Sequence, residues 1–122
     1  MTGTNQRKVA IIENDDAVRD SFRLLLEVTG YAVETFALAA GFLRSDIRDL
    51  ACLICDHHLP NMTGLELVER LRSEGIAIPV LLITGEPSPT VTARAAELGI
   101  ERVLTKPVNG EDVLDFIATK LS

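Results

Sequence analysis

The sequence predicts an α/β fold: one open parallel sheet of five (βα) units, doubly wound, with helices on both faces. Two features carry that prediction. Short apolar runs rich in Val, Ile and Leu alternate along the chain with longer segments of helical period. The central runs are continuously apolar rather than alternating, as in strands buried on both faces. Length supports it as well. A chain of 122 residues suits one domain, and on folding it buries roughly two-thirds of its unfolded surface, enough for a core without disulfide or metal staples.

Val9-Ala10-Ile11-Ile12 reads as a first buried strand, running into Glu13-Asn14-Asp15-Asp16. Asp15 and Asp16 are placed to cap the helix that follows. In that helix Val18, Phe22, Leu25, Leu26 and Thr29 recur at spacings of three and four, predicting an inward face, with Arg19, Asp20, Arg23 and Glu27 outward and Gly30 as the stop. Residues 31–36 read as a strand near an edge, because Glu34 and Thr35 interrupt it. Residues 38–44 form a short helix around Phe42 and Leu43. Ala51-Cys52-Leu53-Ile54-Cys55 is a second fully buried strand, ending at Asp56. A helix over 63–74 turns Leu67, Val68 and Leu71 inward and stops at Gly75. Pro79-Val80-Leu81-Leu82-Ile83 is the next buried strand, ending at Thr84-Gly85. Pro87-Ser88-Pro89 opens a helix with Val91, Ala95 and Leu98 on one face, closed by Gly99. A last strand over 101–105 leads to Lys106-Pro107, and a final helix buries Val113, Phe116, Ile117 and Leu121.

Composition removes several function classes. The 18 acidic against 12 basic residues give a formal charge of −6, the wrong sign for a phosphate-backbone binder. Tyr31, Phe22, Phe36, Phe42 and Phe116 are the chain's aromatics, too few for a base-stacking platform. No apolar run approaches the ~18 residues of a membrane span. The polar start, Met1 to Lys8, lacks the hydrophobic stretch of a signal peptide. Cys52 and Cys55 make no disulfide framework, and three residues apart in a strand they face opposite ways, as core thiols do. These features describe a cytoplasmic protein with no direct nucleic-acid or membrane partner.

In open parallel sheets ligands bind beyond the carboxyl ends of the strands. Those positions hold Glu13-Asn14, Asp56, Thr84 and Lys106. Taken one at a time, each has an ordinary explanation as a cap, a turn residue or a solvated lysine. Together they form the set that phosphoryl transfer needs: a carboxylate nucleophile, oxygen ligands for a hard cation, a hydroxyl and a fixed positive charge. Converging carboxylates repel each other and an incoming phosphate, so charge calls for a divalent cation.

The segments Ile11-Ile12-Glu13-Asn14-Asp15-Asp16, Asp56-His57-His58-Leu59-Pro60-Asn61-Met62-Thr63-Gly64, Leu82-Ile83-Thr84-Gly85 and Thr105-Lys106-Pro107 resemble the receiver domain of two-component response regulators, CheY-like, over essentially the whole chain. The resemblance implies a flavodoxin-like strand order 2-1-3-4-5, and a receiver domain spanning 1–122 with no effector domain within the chain. It implies a phosphorelay signalling function rather than an enzyme with a separate substrate. Asp56 looks like the acceptor of a phosphoryl group from a phosphohistidine on a sensor histidine kinase or histidine phosphotransfer protein. Glu13, Asn14, Asp56 and the backbone carbonyl of His58 look like the Mg²⁺ ligands, Thr84 like the switch hydroxyl, and Lys106 like the lysine that pairs with the phosphoryl group. A downstream protein would read the 87–121 face, and a homodimer stays open.

Two positions depart from the family pattern. Asn14 stands where an acid is expected, which removes one negative charge from the cation pocket, and Asp15 or Asp16 would compensate only if the loop bent inward. Val103 stands where many receivers carry an aromatic that moves with the hydroxyl. These departures define the alternative, a phosphorylation-independent pseudo-receiver that binds partners. A Mg²⁺-dependent phosphatase would need Asp-x-Asp, and Asp56-His57-His58 lacks the second acid.

Overall fold

Strand and helix propensities resolve into the alternation that the sequence predicts. In a computed structural model, which describes residues 7–121, the order is β1 (Lys8–Ile12), α1 (Asp16–Val28), β2 (Ala32–Phe36), α2 (Ala39–Leu43), β3 (Leu50–Asp56), α3 (Gly64–Ser73), β4 (Val80–Thr84), α4 (Pro89–Glu97), β5 (Arg102–Thr105) and α5 (Gly110–Leu121). The polar lead-in over 1–6 lies outside the described residues. The strands form one five-stranded sheet in the order β2-β1-β3-β4-β5, every pairing parallel. This is the flavodoxin-like (βα)₅ arrangement, with β2 on an edge as its interrupted sequence predicts.

Period-two alternation divides the core between two faces. Ala10, Ile12, Leu53, Cys55, Val80 and Leu82 pack under Phe42 of α2, Leu67, Val68 and Leu71 of α3, and Ala95 of α4. Val9, Ile11, Cys52, Ile54, Leu81 and Ile83 pack under Leu26 of α1 and Val113, Phe116 and Ile117 of α5. Each fully buried Leu or Ile contributes about 1.5–3 kcal/mol of transfer free energy. The two cysteines fall on opposite faces as expected. Burial pushes the Cys52 thiol up to about 12 and the Cys55 thiol higher still, so both stay protonated and inert at neutral pH.

Some expected positions differ. Helical period puts Val18 and Thr29 on the inward face of α1, yet Val18 is 37% exposed and Thr29 is exposed. Val18, in the first turn of α1, lines an open cavity with Phe22, Ile83, Lys106 and Pro107 in place of closing on the core, and Thr29 is the C-cap, its hydroxyl donating to the Leu25 carbonyl at 2.7 Å. Leu38 caps α2 in extended conformation instead of joining it. Strand β5 begins at Arg102, one residue later than expected, and β3 runs one residue further, through Asp56 itself.

Register brings the strand ends level. Ile12 pairs with Cys55, Asp56 with Ile83, and Thr84 with Thr105. Glu13, Asp56, Thr84 and Lys106 therefore emerge along one rim of the sheet.

Candidate functional site

Each side chain on the rim is set by the strand that carries it. The Glu13 N–H donates to the Phe36 carbonyl of β2 at 3.0 Å, extending the ladder one residue beyond β1. The His57 N–H donates to the Ile83 carbonyl at 2.8 Å and does the same for β3, so Asp56 is held in regular strand geometry. The chain then turns into α3 on a capping box, in which the Thr63 hydroxyl accepts from Glu66 N–H while the Glu66 carboxylate accepts from Thr63 N–H. Gly64 opens that helix where no side chain fits. A Cβ there would lie 2.7 Å from Leu82 Cδ1, 2.8 Å from the Asp56 carbonyl oxygen and 3.0 Å from His57 Cα.

The carboxylates sit in a nearly dry place. Glu13 is 3% exposed and Asp56 4%. Lys106 Nζ donates to Asp56 Oδ2 at 3.1 Å, and the His58 N–H donates to Oδ1 at 3.1 Å. Glu13 Oε2 accepts the Asp15 N–H at 2.9 Å. Burial raises the Glu13 carboxyl above its ordinary value and the nearby Asp56 charge raises it further. The Asp15 N–H and the Lys106 ammonium work in the opposite direction without cancelling the rise. The pocket thus holds two buried carboxyl groups facing a single lysine.

Thr84 is fully buried, and its Oγ1 accepts the Glu86 N–H at 3.1 Å. The same oxygen lies 3.5 Å from His58 Nε2. Lys106 is brought beside Asp56 by the β4–β5 pairing, continued by Lys106 N–H to the Thr84 carbonyl at 2.9 Å, and is followed by a cis bond to Pro107. Burial first and His58 second hold the His57 imidazole below its ordinary value, and its Nδ1 is buried with no hydrogen-bond partner. Val103 is half-buried against the α3 and α4 side of the core.

The β1–α1 loop keeps its remaining acids out of the pocket. The Asp15 carboxylate caps α1 through the Val18 N–H at 3.0 Å, and Asp16 pairs with Arg19 at 2.5 Å. Asn14 is exposed, with Nδ2 donating to the Ala37 carbonyl at 3.3 Å. Among the described residues no group of three or more His, Cys, Asp or Glu side chains is arranged to hold a metal ion. The rim instead offers the carboxylate oxygens of two neighbouring buried acids, Glu13 and Asp56, with the Asn14 amide exposed on the adjoining loop. That chemistry fits a hard divalent cation such as Mg²⁺.

The sequence reading missed Arg19, which it placed outward with the solvated residues of α1. The side chain is only 18% exposed and folds back along the helix, Nη1 donating to the Glu13 carbonyl at 2.9 Å and the Asn14 carbonyl at 3.4 Å. It also missed the approach of the His58 ring to Thr84. A cation in the first turn of a helix, against the local dipole, was the available signal for Arg19.

The family model for the response regulator receiver domain matches residues 9–118. The chain belongs to the response-regulator receiver family. The receiver is 33% identical over 114 residues to the transcriptional regulatory protein FixJ of Azorhizobium caulinodans, covering 93% of this chain and 54% of that protein. It is 34% identical over 115 residues to the response regulator protein TmoT of Ectopseudomonas mendocina, covering 93% and 52%. The crystal structure of a CheY-like response regulator receiver domain protein from Methanospirillum hungatei JF-1 superposes with a TM-score of 0.85 at 30% identity, over 94% of this chain and 93% of that one. The receiver spans about half the length of the curated relatives it matches. Membership places it in two-component phosphorelay signalling, as a phosphoryl acceptor and not an enzyme with a separate substrate. Among the described residues no helix is long and apolar enough to cross a membrane.

Proposed function

We propose that this receiver takes a phosphoryl group onto Asp56 from a phosphohistidine on a sensor histidine kinase or histidine phosphotransfer protein, with Mg²⁺ as cofactor. The observation that carries the reading is the placement of Asp56. Its buried carboxylate is fixed at one oxygen by the Lys106 ammonium and at the other by the His58 N–H. An Asp56 oxygen attacks phosphorus, the P–N bond breaks, and the departing imidazole nitrogen takes up a proton. Lys106 then turns its charge to the phosphoryl oxygens, which bring about −1.5 to −2 charges. The Thr84 hydroxyl, which accepts from Glu86 N–H in the present state, rotates to donate to the same oxygens.

Glu13, Asn14, Asp56 and the His58 backbone carbonyl would hold the cation. When bound, Mg²⁺ supplies the positive charge that the carboxylates and phosphoryl oxygens require. Loss of the Thr84–Glu86 bond frees the start of α4, so the signal reaches a downstream protein through the 87–121 face of α4, β5 and α5. With Val103 in place of an aromatic, that transmission runs through backbone and helix shifts.

The experiment is mass spectrometry of the chain after exposure to a small-molecule phosphodonor with Mg²⁺. One phosphoryl group is expected on the wild type and none on Asp56→Asn. The pseudo-receiver reading draws on Asn14 and Val103, and it expects no incorporation at saturating Mg²⁺ together with equal partner binding by both proteins.

A further inference from the structure

Arg19 belongs to no part of the reading above, yet its side chain reaches the backbone that carries the cation ligands. It sits in the first turn of α1, where a positive charge opposes the helix dipole. An arginine free to choose would extend into water from there. Instead it folds toward the N-terminus and divides its donors between the Glu13 carbonyl at 2.9 Å, the Asn14 carbonyl at 3.4 Å and the Asp16 carboxylate at 2.5 Å. A planar fork can satisfy several acceptors at once, which a lysine cannot.

Those bonds complete the restraint of one short segment. The Glu13 N–H is tied to the Phe36 carbonyl at 3.0 Å, and the Glu13 carbonyl is tied to Arg19. Asn14 is tied through its side chain to Ala37 and through its carbonyl to Arg19. Glu13 is therefore held by its N–H toward β2 and by its carbonyl toward α1, and Asn14 by its side chain toward Ala37 and by its carbonyl toward α1. With the backbone fixed, the Glu13 carboxylate is directed at Asp56 and away from solvent, against the repulsion that its buried neighbour exerts.

We infer that Arg19 is a positioning residue for the cation pocket, clamping the carbonyls of Glu13 and Asn14 so that their side chains are held ready to ligate. The inference rests on the reading of this pocket as a Mg²⁺ site. It makes a prediction opposite in sign to simple electrostatics. Removing a positive charge beside a cation pocket raises cation affinity if charge is all that matters. Removing a clamp lowers it.

The test is calorimetric Mg²⁺ titration of the full chain as wild type, Arg19→Gln and Arg19→Lys, with thermal midpoints measured in the absence of divalent cation. The expected result is a loss of about 10-fold in Mg²⁺ affinity for Arg19→Gln, the size typical of groups that orient metal ligands. Arg19→Lys keeps the charge but lacks the fork, so it also loses affinity, by less. Affinity equal to or above wild type in Arg19→Gln overturns the inference, including the case in which only the thermal midpoint falls. If Arg19→Gln does not fold, Arg19→Lys decides in the same way. Absence of Mg²⁺ binding by the wild type overturns the reading of the site itself, and the clamp with it. Mg²⁺ binding by the wild type that is unchanged in both variants overturns the clamp alone.

Discussion

Glu13 shows how the pocket's chemistry bears on folding. Its carboxyl group is raised by burial and by Asp56, so the folded state binds that proton more tightly than the unfolded chain. The contribution to stability is fully present below the ordinary glutamate value and is lost as pH rises through the raised folded value. Above that point the charged Glu13 is a cost that a cation would relieve. Without divalent cation, Glu13→Gln should therefore be more stable than wild type at neutral pH, and the gain should disappear in acid. Thermal midpoints measured across pH check this, and a less stable Gln variant at pH 7 would contradict it. Asp56, Thr84, Lys106 and Glu13 were all legible in the sequence because polar residues after apolar runs stand out. Arg19 was not legible, because helical period reports where a Cα faces and says nothing about a long side chain folding back along the helix.

Among the elements, α3 is the one tied most closely to the acceptor. Its first residue, Gly64, lets the helix start directly against the end of β3, and the contacts a Cβ would make are to backbone as well as to Leu82. Gly64→Ala should destabilise the fold by about 1–3 kcal/mol, the cost of overpacking a close contact, and should slow phosphorylation by displacing Asp56. Denaturant unfolding and initial phosphorylation rates check the two halves, and an Ala variant unchanged in both would show that the close approach is not required. Helix stops at Gly30, Gly75 and Gly99, each with positive φ, were readable from the sequence. The inward face of α1 was read too long at both ends. Periodicity marks a stripe along a helix without showing how tightly its neighbours close over the two ends, and so Val18, beside an open cavity, and Thr29, at the C-cap, fell outside the core.

At the scale of the whole molecule, three buried runs, two flanking strand segments and the helices between them were enough to read a parallel sheet covered on both sides. The division of the core into two faces followed from the same alternation, down to the opposed Cys52 and Cys55. Strand order was different. Many orders satisfy the same pattern of buried strands, and 2-1-3-4-5 came only from the resemblance of the motifs at the strand ends. The charge of −6 acquires a local meaning in the fold, because Glu13 and Asp56 meet at one buried place where one lysine pairs with Asp56. A cation that binds only the folded chain adds stability by mass action, about 2.7 kcal/mol at 100 times its dissociation constant. Mg²⁺ should accordingly raise the thermal midpoint of the wild type and do so much less for Asp56→Asn. An equal rise in both would place the cation elsewhere.

The most direct test of the account is a Mg²⁺ titration of phosphoryl incorporation from a small phosphodonor, in wild type, Asp56→Asn and Asn14→Asp. The account predicts saturable, Mg²⁺-dependent incorporation in the wild type and none in Asp56→Asn. In Asn14→Asp, half-saturation should fall to lower Mg²⁺ as the third acid is restored. Incorporation absent from the wild type at saturating Mg²⁺, or persisting in Asp56→Asn, would contradict it.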